Sequence, residues 1–479
     1  MILRNRNSSF WLASLTLAVI LGSHVACDAQ DAPSALSGLS SSEIFDITDG
    51  RQLKINDVAV DRLMFRVAQT SRANLNRFAK FTASVEFDQL VGEPRDYRCH
   101  VFSISGTAKS FQRFESSSED LEASERGRYL VHVILEDGQD CLVVLPEATG
   151  NGHSVPHRWK RGVELDEPVN FKGFFLAVYD FPGDVNEGTE VGTGSRSITV
   201  PNLSQSDVPL FVARQVQWMP VEDHAFSLSD AELLLAGNGV DIGALDRLRP
   251  NANGPMRKVD SLSFYQMLTA ANALDRKQFP VGDLVDFKAC LQSASKSVGQ
   301  PMQLRGTVRK ITEVQVSDPD AQAEFGLDRY YQLHLFLPLD QQEIVIRSKD
   351  QSSDSEQVMR LNSRFPITVC CRELPDEKSV MEGKLVSVQG FFFKLWNYES
   401  ELSRTKSTRL NQISPLIIAL PPTLIAEDGA TISWWIGAAA VLMILGIGLL
   451  LWFYGSSGSD RQSSSARTGL PDQIDISGE

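Results

Sequence analysis

The chain repeats itself, and this repeat constrains the fold more than any other feature of the 479 residues. The block Asp61-x-Leu63-x-Phe65 returns 199 residues later as Asp260-x-Leu262-x-Phe264. Four more landmarks follow in the same order in both copies: Gly106-Thr107 and Gly306-Thr307, Tyr129-x-x-His132 and Tyr331-x-x-His334, Gly173-Phe174-Phe175 and Gly390-Phe391-Phe392, Pro209-Leu210 and Pro415-Leu416. Ordered self-similarity of this kind indicates one structural unit used twice. The larger offset of the later landmarks predicts a longer connection before the second Gly-Phe-Phe block.

Each copy begins with a helical pattern. Apolar residues recur at helical spacing over residues 58–78 and again over residues 262–274. Asp61 and Asp260 lie near the start of these segments, where a carboxylate complements the helix dipole. Because Leu-x-Phe stands at the same place in both copies, it predicts the helix face that packs on a sheet.

Five strands are predicted after each helical segment. A strand with an internal glycine comes first, over residues 101–114 and 302–316, and such a glycine often marks a bulge or a bend. Clean alternation from Tyr129 to Leu135 and the turn Asp137-Gly138 predict a hairpin. In the second copy we expect the turn near Asp340 and the next strand over residues 343–347. The Gly-Phe-Phe strand and a final strand complete each unit.

This order of strands resembles the OB-fold, a five-stranded, partly open Greek-key barrel. The resemblance covers residues 97–220 and 298–425 and rests on pattern alone. The predicted fold class is therefore α+β, mainly β, with two tandem OB-fold-like five-stranded barrels, each preceded by a helical segment, and one C-terminal transmembrane helix. The resemblance implies ligand binding on the outer face of the second and third strands.

Four residues are candidates for that ligand face. His132 and His334 alternate with the apolar residues of their strands, so each is expected on the outer side of its barrel. Tyr179 and Trp396 occupy matching positions six residues after the repeated glycine, where an aromatic ring could stack on a sugar or a base. The alternatives are a surface histidine inherited by copying and an aromatic residue used only for packing.

Other chemistries have weaker support in the sequence. His153 and His157 have metal-like spacing, but Pro156 lies between them and no third ligand is evident. The neighbouring Cys370 and Cys371 have only Arg372 as an activating cation. An acidic insert in each copy, such as Asp318 to Asp328, could attract calcium or form an ordinary solvated loop. We therefore predict no catalytic residue, no metal site and no cofactor.

Two apolar segments predict the cellular localisation of the protein. Residues 1–29 resemble a signal peptide, and residues 432–454 form an uncharged stretch with aromatic residues at both ends. The predicted order is a signal peptide (1–29), a disordered linker (30–44), repeat unit 1 (45–220), repeat unit 2 (221–428), a transmembrane helix (432–454) and a disordered cytoplasmic tail (455–479). This predicts a single-pass membrane protein whose repeats lie outside the cytoplasm.

Charge and topology lead to a prediction of function. The formal net charge is −14, which does not favour nucleic acid as a partner. We expect another protein at the membrane surface and the lipid bilayer, through residues 432–454, as partners. The predicted role is non-catalytic binding or assembly. The alternatives are polyanion or oligosaccharide binding on the barrel faces and an enzyme with an unrecognised site.

Overall fold

The structure of the chain is a computed structural model. It describes residues 39–40, single positions between 42 and 50, and residues 58–116, 126–149, 152–160, 163–180, 189–191, 198–200, 207–223, 226–281, 284–339, 343–349, 356–375, 381–399, 411–425 and 434–456. The predicted signal peptide, most of the predicted linker and nearly all of the predicted tail lie outside these residues. The described fold is mixed α+β and mainly β.

The first copy forms a six-stranded sheet. Its long strands are β1 (Val101–Glu115), β2 (Gly127–Leu135), β3 (Asp140–Pro146), β6 (Glu167–Asp180) and β9 (Asp207–Ala213), and its short strand is β10 (Gln217–Trp218). The order is β1-β2-β3-β9-β6-β10, and β1 also pairs with β6. All pairs are antiparallel except β3 with β9. The five long strands thus form a closed ring of pairings. Short hairpins join β4 (Ala148–Thr149) to β5 (Gly152–His153) and β7 (Thr189–Val191) to β8 (Ile198–Val200).

The second copy repeats this sheet strand by strand. Its strands are β11 (Pro301–Gln315), β12 (Arg329–Pro338), β15 (Arg364–Cys371), β16 (Leu385–Glu399), β17 (Asn411–Ala419) and β18 (Thr423–Leu424). The order is β11-β12-β15-β17-β16-β18, and β11 also pairs with β16. Both sheets therefore resemble the OB-fold, as the sequence pattern predicted.

The third strand of the second copy was predicted in the wrong place. Residues 343–347 fall in a separate hairpin of β13 (Ile344–Lys349) and β14 (Glu356–Leu361), which pair with each other. The strand that pairs with β12 is β15, where Phe365 lies opposite Leu337. The apolar run at residues 344–346 does form a strand, but this strand belongs to the inserted hairpin and not to the main sheet. The connection that lengthens the second copy thus includes this hairpin.

The repeated glycines and two β-bulges bend both sheets at matching places. Gly106 lies where the pairing of β1 with β6 overlaps its pairing with β2. It is opposite Leu135 of β2 and Val169 of β6. A Cβ atom there would lie 2.5 Å from the Ile134 carbonyl oxygen. Register shifts follow between Ala108 and Ser110 in β1 and between Val308 and Lys310 in β11. Bulges raise local twist, which explains how such long strands pair on both sides.

Helices precede and connect the sheets. They are α1 (Val58–Gln69), α2 (Arg72–Ala79), α3 (Phe87–Gly92), α4 (Pro94–Tyr97), α5 (Asp230–Gly237), α6 (Ile242–Leu248), α7 (Ser261–Ala273), α8 (Phe287–Gln292), α9 (Ala294–Ser297), α10 (Pro319–Phe325) and α11 (Trp434–Ser456). The segment predicted as one helix over residues 58–78 is two helices, because Ser71 caps α2 with its side chain. Leu63 and Leu262 are buried as predicted, and so is Phe264, but Phe65 is 64% exposed.

The buried side chains form two clusters. The larger runs through both copies and the helices between them, and it includes Val131, Phe175, Leu245, Phe264 and Phe391. The smaller lies on the first copy alone, where Leu39, Ile47, α1 and α2 cover the outer face of the sheet. The described residues up to Ile425 accordingly form one compact unit.

The C-terminal residues from 426 form a second unit, in which α11 is the described element. In the part of the chain that the structure describes, no helix combines the length and apolarity needed to cross a bilayer. The predicted localisation as a single-pass membrane protein, with the bilayer as a partner through residues 432–454, is therefore wrong.

Candidate ligand-binding site

His132 lies on the outer side of β2, but it is not accessible to a ligand. Its side chain is 5% exposed, and Nε2 lies 2.7 Å from Oδ1 of Asp140, which is itself buried. The neighbouring outward residues Leu130 and Leu142 belong to the cluster under α1 and α2. The first copy therefore uses His132 in a buried contact with Asp140.

Tyr179 lies on the same covered face. It is 7% exposed and belongs to the cluster formed with Leu63 and Val67 of α1. The outer face of the first copy, which the OB-fold resemblance implied as a ligand face, is thus occupied by the chain's own N-terminal segment.

His334 lies at the corresponding place in the second copy and is only half-buried. Its neighbours on adjacent strands are Lys310 on β11 and Thr368 on β15. Burial, and secondly the charge of Lys310, lower the pKa of His334. Nε2 of His334 lies 3.3 Å from the side-chain amide nitrogen of Gln332.

Trp396 belongs to the same row of side chains as His334. It lies opposite Ser414 on β17, and the Ser414 hydroxyl is 3.0 Å from the hydroxyl of Thr368. The row therefore runs Lys310, His334, Thr368, Ser414 and Trp396 across five strands. We call these five residues the polar row. Thr368 and Ser414 are fully buried, so only the two ends of the polar row and His334 are accessible.

The two copies differ in the middle of this row. Thr368 and Ser414 take the places of Leu142 and Val208, and all four residues are fully buried, so the two copies differ here in polarity and not in exposure. The sequence comparison identified His334 and Trp396, but not the residues between them. Thr368 was missed because the third strand was misplaced. Ser414 could have been found, since it directly precedes the repeated Pro415-Leu416.

Two of the other residues singled out in the sequence, His153 and His157, lie side by side in the structure. The rings of His153 and His157 meet at 4.6 Å, but the described residues contain no group of three or more side chains suited to a metal ion. Burial, and then the charges of His153 and Arg247, lower the pKa of His157. Burial raises the pKa of the Cys371 thiol to about 12, so it is protonated at neutral pH.

The acidic insert of the second copy is partly helical rather than an open loop. Asp320, on α10, accepts hydrogen bonds from the backbone N–H groups of Arg72 and Ala73 at 3.0 and 2.9 Å. These groups begin α2, so the carboxylate caps a helix of the first copy. The insert therefore holds the two copies together.

Comparisons with known proteins give matches to solved structures only. No protein-family model matches the chain, and no curated protein matches it in sequence. A deletion mutant of the single-stranded DNA-binding protein from Thermus aquaticus matches with 9% identity and a TM-score of 0.15, covering 68% of this chain and 94% of that one. The protein PriB from Ralstonia solanacearum matches with 8% identity and a TM-score of 0.11, covering 26% of this chain and 95% of that one.

One of these matched structures is that of a single-stranded DNA-binding protein, which contradicts the prediction that nucleic acid is not a partner. We withdraw that prediction and include nucleic acid among the ligands to be tested.

Proposed function

We propose that the protein is a non-catalytic binding protein built from two OB-like barrels, and that a ligand binds to the part of the second barrel's outer face that α7 leaves accessible, at Lys310, His334 and Trp396. The closed ring of pairings in each sheet supports the barrel architecture. The unequal burial of matching residues supports the division of roles: His132 and Tyr179 lie under the N-terminal segment, whereas His334 and Trp396 are half-buried.

Three residues of the polar row can contact a ligand, namely Lys310, His334 and Trp396, because Thr368 and Ser414 are fully buried. Lys310 is exposed and supplies a positive charge at one end, and Trp396 supplies an aromatic ring at the other. Aromatic rings stack on sugars and bases, and stacking on a base is worth about 1–3 kcal/mol.

Binding assays on the full-length chain test this proposal. The probes are fluorescent oligothymidylate and fluorescent dextran, measured by anisotropy. Trp396→Ala and His334→Ala should each weaken binding of the active probe about tenfold or more, since loss of a stacking ring costs about 1–3 kcal/mol. Lys277→Ala is the control, because Lys277 is exposed and lies outside the polar row. The proposal fails if neither probe binds, or if binding is as sensitive to Lys277→Ala as to Trp396→Ala.

A further inference from the structure

A small cavity lies where the two copies meet. Its volume is about 50 Å³, and the charged residues on its wall are Arg72, Lys172, Arg214 and Glu324. Arg72 begins α2 and Lys172 lies on β6 of the first copy, while Glu324 lies on α10 of the second. Arg214 follows β9 directly. The second copy has Leu420 at the corresponding position, so this cavity is not duplicated.

Two guanidinium nitrogens at this cavity have no acceptor. Nε of Arg214 and Nη1 of Arg72 are buried and lack hydrogen-bond partners among the residues that the structure describes. Leaving a buried charged donor unpaired costs free energy, and native proteins rarely do so. Two such donors at one cavity indicate that an acceptor belongs between them.

The carboxylates nearby do not fill that role. Oε2 of Glu324 lies 3.9 Å from Nε of Arg72, too far for a hydrogen bond, and is itself buried without a partner. Asp320 is engaged by the backbone of α2. Burial, and then the charges of Arg72 and Arg247, lower the pKa of Arg214, although Asp320 opposes this.

The charge of the wall favours a divalent anion. Three cations and one carboxylate give a local charge of +2 on a chain whose net charge is −14. Arginine pairs recognise the oxygens of a phosphate group through forked hydrogen bonds, and a phosphate monoester carries close to two negative charges at neutral pH.

A larger cavity adjoins the first and provides space for the rest of a ligand. Its volume is about 310 Å³, and it shares Gln215 and Leu262 with the small one. His153, His157 and Arg247 lie on its wall. Cavities of about 300–1,000 Å³ hold small molecules in proteins. Among the described residues that line the two cavities, the aromatic side chains other than histidine are limited to the buried Phe171, which disfavours a stacked single strand.

We propose that Arg72 and Arg214 bind the phosphate group of a small phosphorylated molecule at the seam between the two copies, with the remainder of that molecule in the larger cavity. This phosphate site shares no residue with the polar row. A negative result at either site therefore leaves the proposal for the other unchanged.

Calorimetric titration of the full-length chain with inorganic phosphate tests the site. Arg214→Gln should weaken phosphate binding about tenfold or more, because it removes a charged donor. Glu324→Gln should tighten binding about threefold or more, because it removes a repelling carboxylate. Arg305→Gln is the matched control, since Arg305 is an exposed arginine on β11 away from the cavity, and it should leave binding unchanged.

Thermal melting separates binding from folding. Without phosphate, Arg214→Gln should melt at the wild-type temperature or above it, because an unpaired, repelled cation has been removed. Phosphate should raise the melting temperature of wild type and Arg305→Gln, but not that of Arg214→Gln. The proposal is overturned if wild type does not bind phosphate, if Arg214→Gln binds it as well as Arg305→Gln does, or if Glu324→Gln binds it less tightly. Binding of oligothymidylate that requires Arg214 would also overturn it, since the ligand would then be a polymer.

Discussion

A repeated aspartate holds each helix to its sheet, but with a different cation in each copy. Asp61 accepts from Arg128 at 3.0 Å and from Ser116 at 2.7 Å. Asp260 accepts from Lys394 at 2.9 Å, and the Lys394 side chain is fully buried. The sequence placed both carboxylates at helix starts, where they complement the dipole. It could not show the ion pairs, because the cations come from β2 in one copy and β16 in the other.

Asp260→Asn should destabilise the protein strongly, because it leaves Lys394 buried beside a neutral amide. Breaking a buried pair in this way typically costs about 3–5 kcal/mol. Arg329→Gln is the control: it removes an exposed ion pair with Glu313, and such pairs contribute at most about 1 kcal/mol. Urea denaturation at pH 7 measures both values. A loss below about 1 kcal/mol for Asp260→Asn would show that Lys394 relaxes to solvent.

The same aspartate predicts a pH dependence. Burial acts to raise the pKa of Asp260, but hydrogen bonds from Arg257 and Lys394 outweigh it and lower the pKa below its ordinary value of 3.8. A lowered pKa in the folded state means that the stabilisation is complete above about pH 4 and is lost as the pH falls towards the folded value. Wild type should therefore lose stability below pH 4 more steeply than Asp260→Asn. Equal slopes in urea titrations at pH 4, 3.5 and 3 would contradict this.

At the scale of elements, α1 and α7 carry the same Asp-x-Leu-x-Phe motif but bury different parts of it. Phe264 on α7 is 4% exposed and packs against Tyr330 and Phe393, with ring centroids 5.2 and 5.7 Å apart. Phe65 on α1 is 64% exposed. Phe264→Ala should therefore cost about 3–5 kcal/mol, and Phe65→Ala less than about 0.5 kcal/mol. Denaturation midpoints measure both, and equal costs would mean that Phe65 is covered in solution.

The inserted hairpin of β13 and β14 should be dispensable for folding. Its described strands pair with each other, and at its base the paired Ile344 and Leu361 pack against the larger cluster. Replacing residues 345–360 with Asp-Gly keeps this pair and should change stability by no more than about 1 kcal/mol, because loop length has a weak effect on stability. A folded circular-dichroism spectrum with an altered midpoint beyond that range would indicate that the hairpin packs on the sheet.

These elements show how far the sequence could be interpreted. Glycines, alternation and the Asp137-Gly138 turn predicted β1, β2 and their counterparts, since these signals are local. The strand β15 was not predicted because the apolar run at residues 344–346, which comes earlier in the chain, was assigned as the third strand instead. The covered outer face of the first copy could not be predicted either. Leu142 and Val208 looked like ordinary core residues, and alternation alone does not say what packs on each side of a strand.

At the scale of the whole molecule, the two copies share one core rather than having one each. The helices α5 and α6 lie between them: Leu235 and Leu245 are fully buried in the cluster that also contains Val131 and Phe391. Charged groups reinforce the junction, where Arg158 of the first copy donates to Asp246 of α6 at 2.9 Å and also pairs with Glu232 of α5. A chain with this arrangement should unfold cooperatively.

Leu245→Ala tests the shared core directly. The change removes a fully buried side chain between the copies and should cost about 2–5 kcal/mol. Because the cluster is continuous, hydrogen exchange should speed up in both β2 and β12, and the thermal transition should stay single. Leu63→Ala is the matched control: Leu63 is equally buried, but it lies in the smaller cluster on the first copy. That variant should speed up exchange in α1 and β9 first. If Leu245→Ala instead splits the transition in two, or leaves exchange in one copy untouched, the copies are independent domains that only touch.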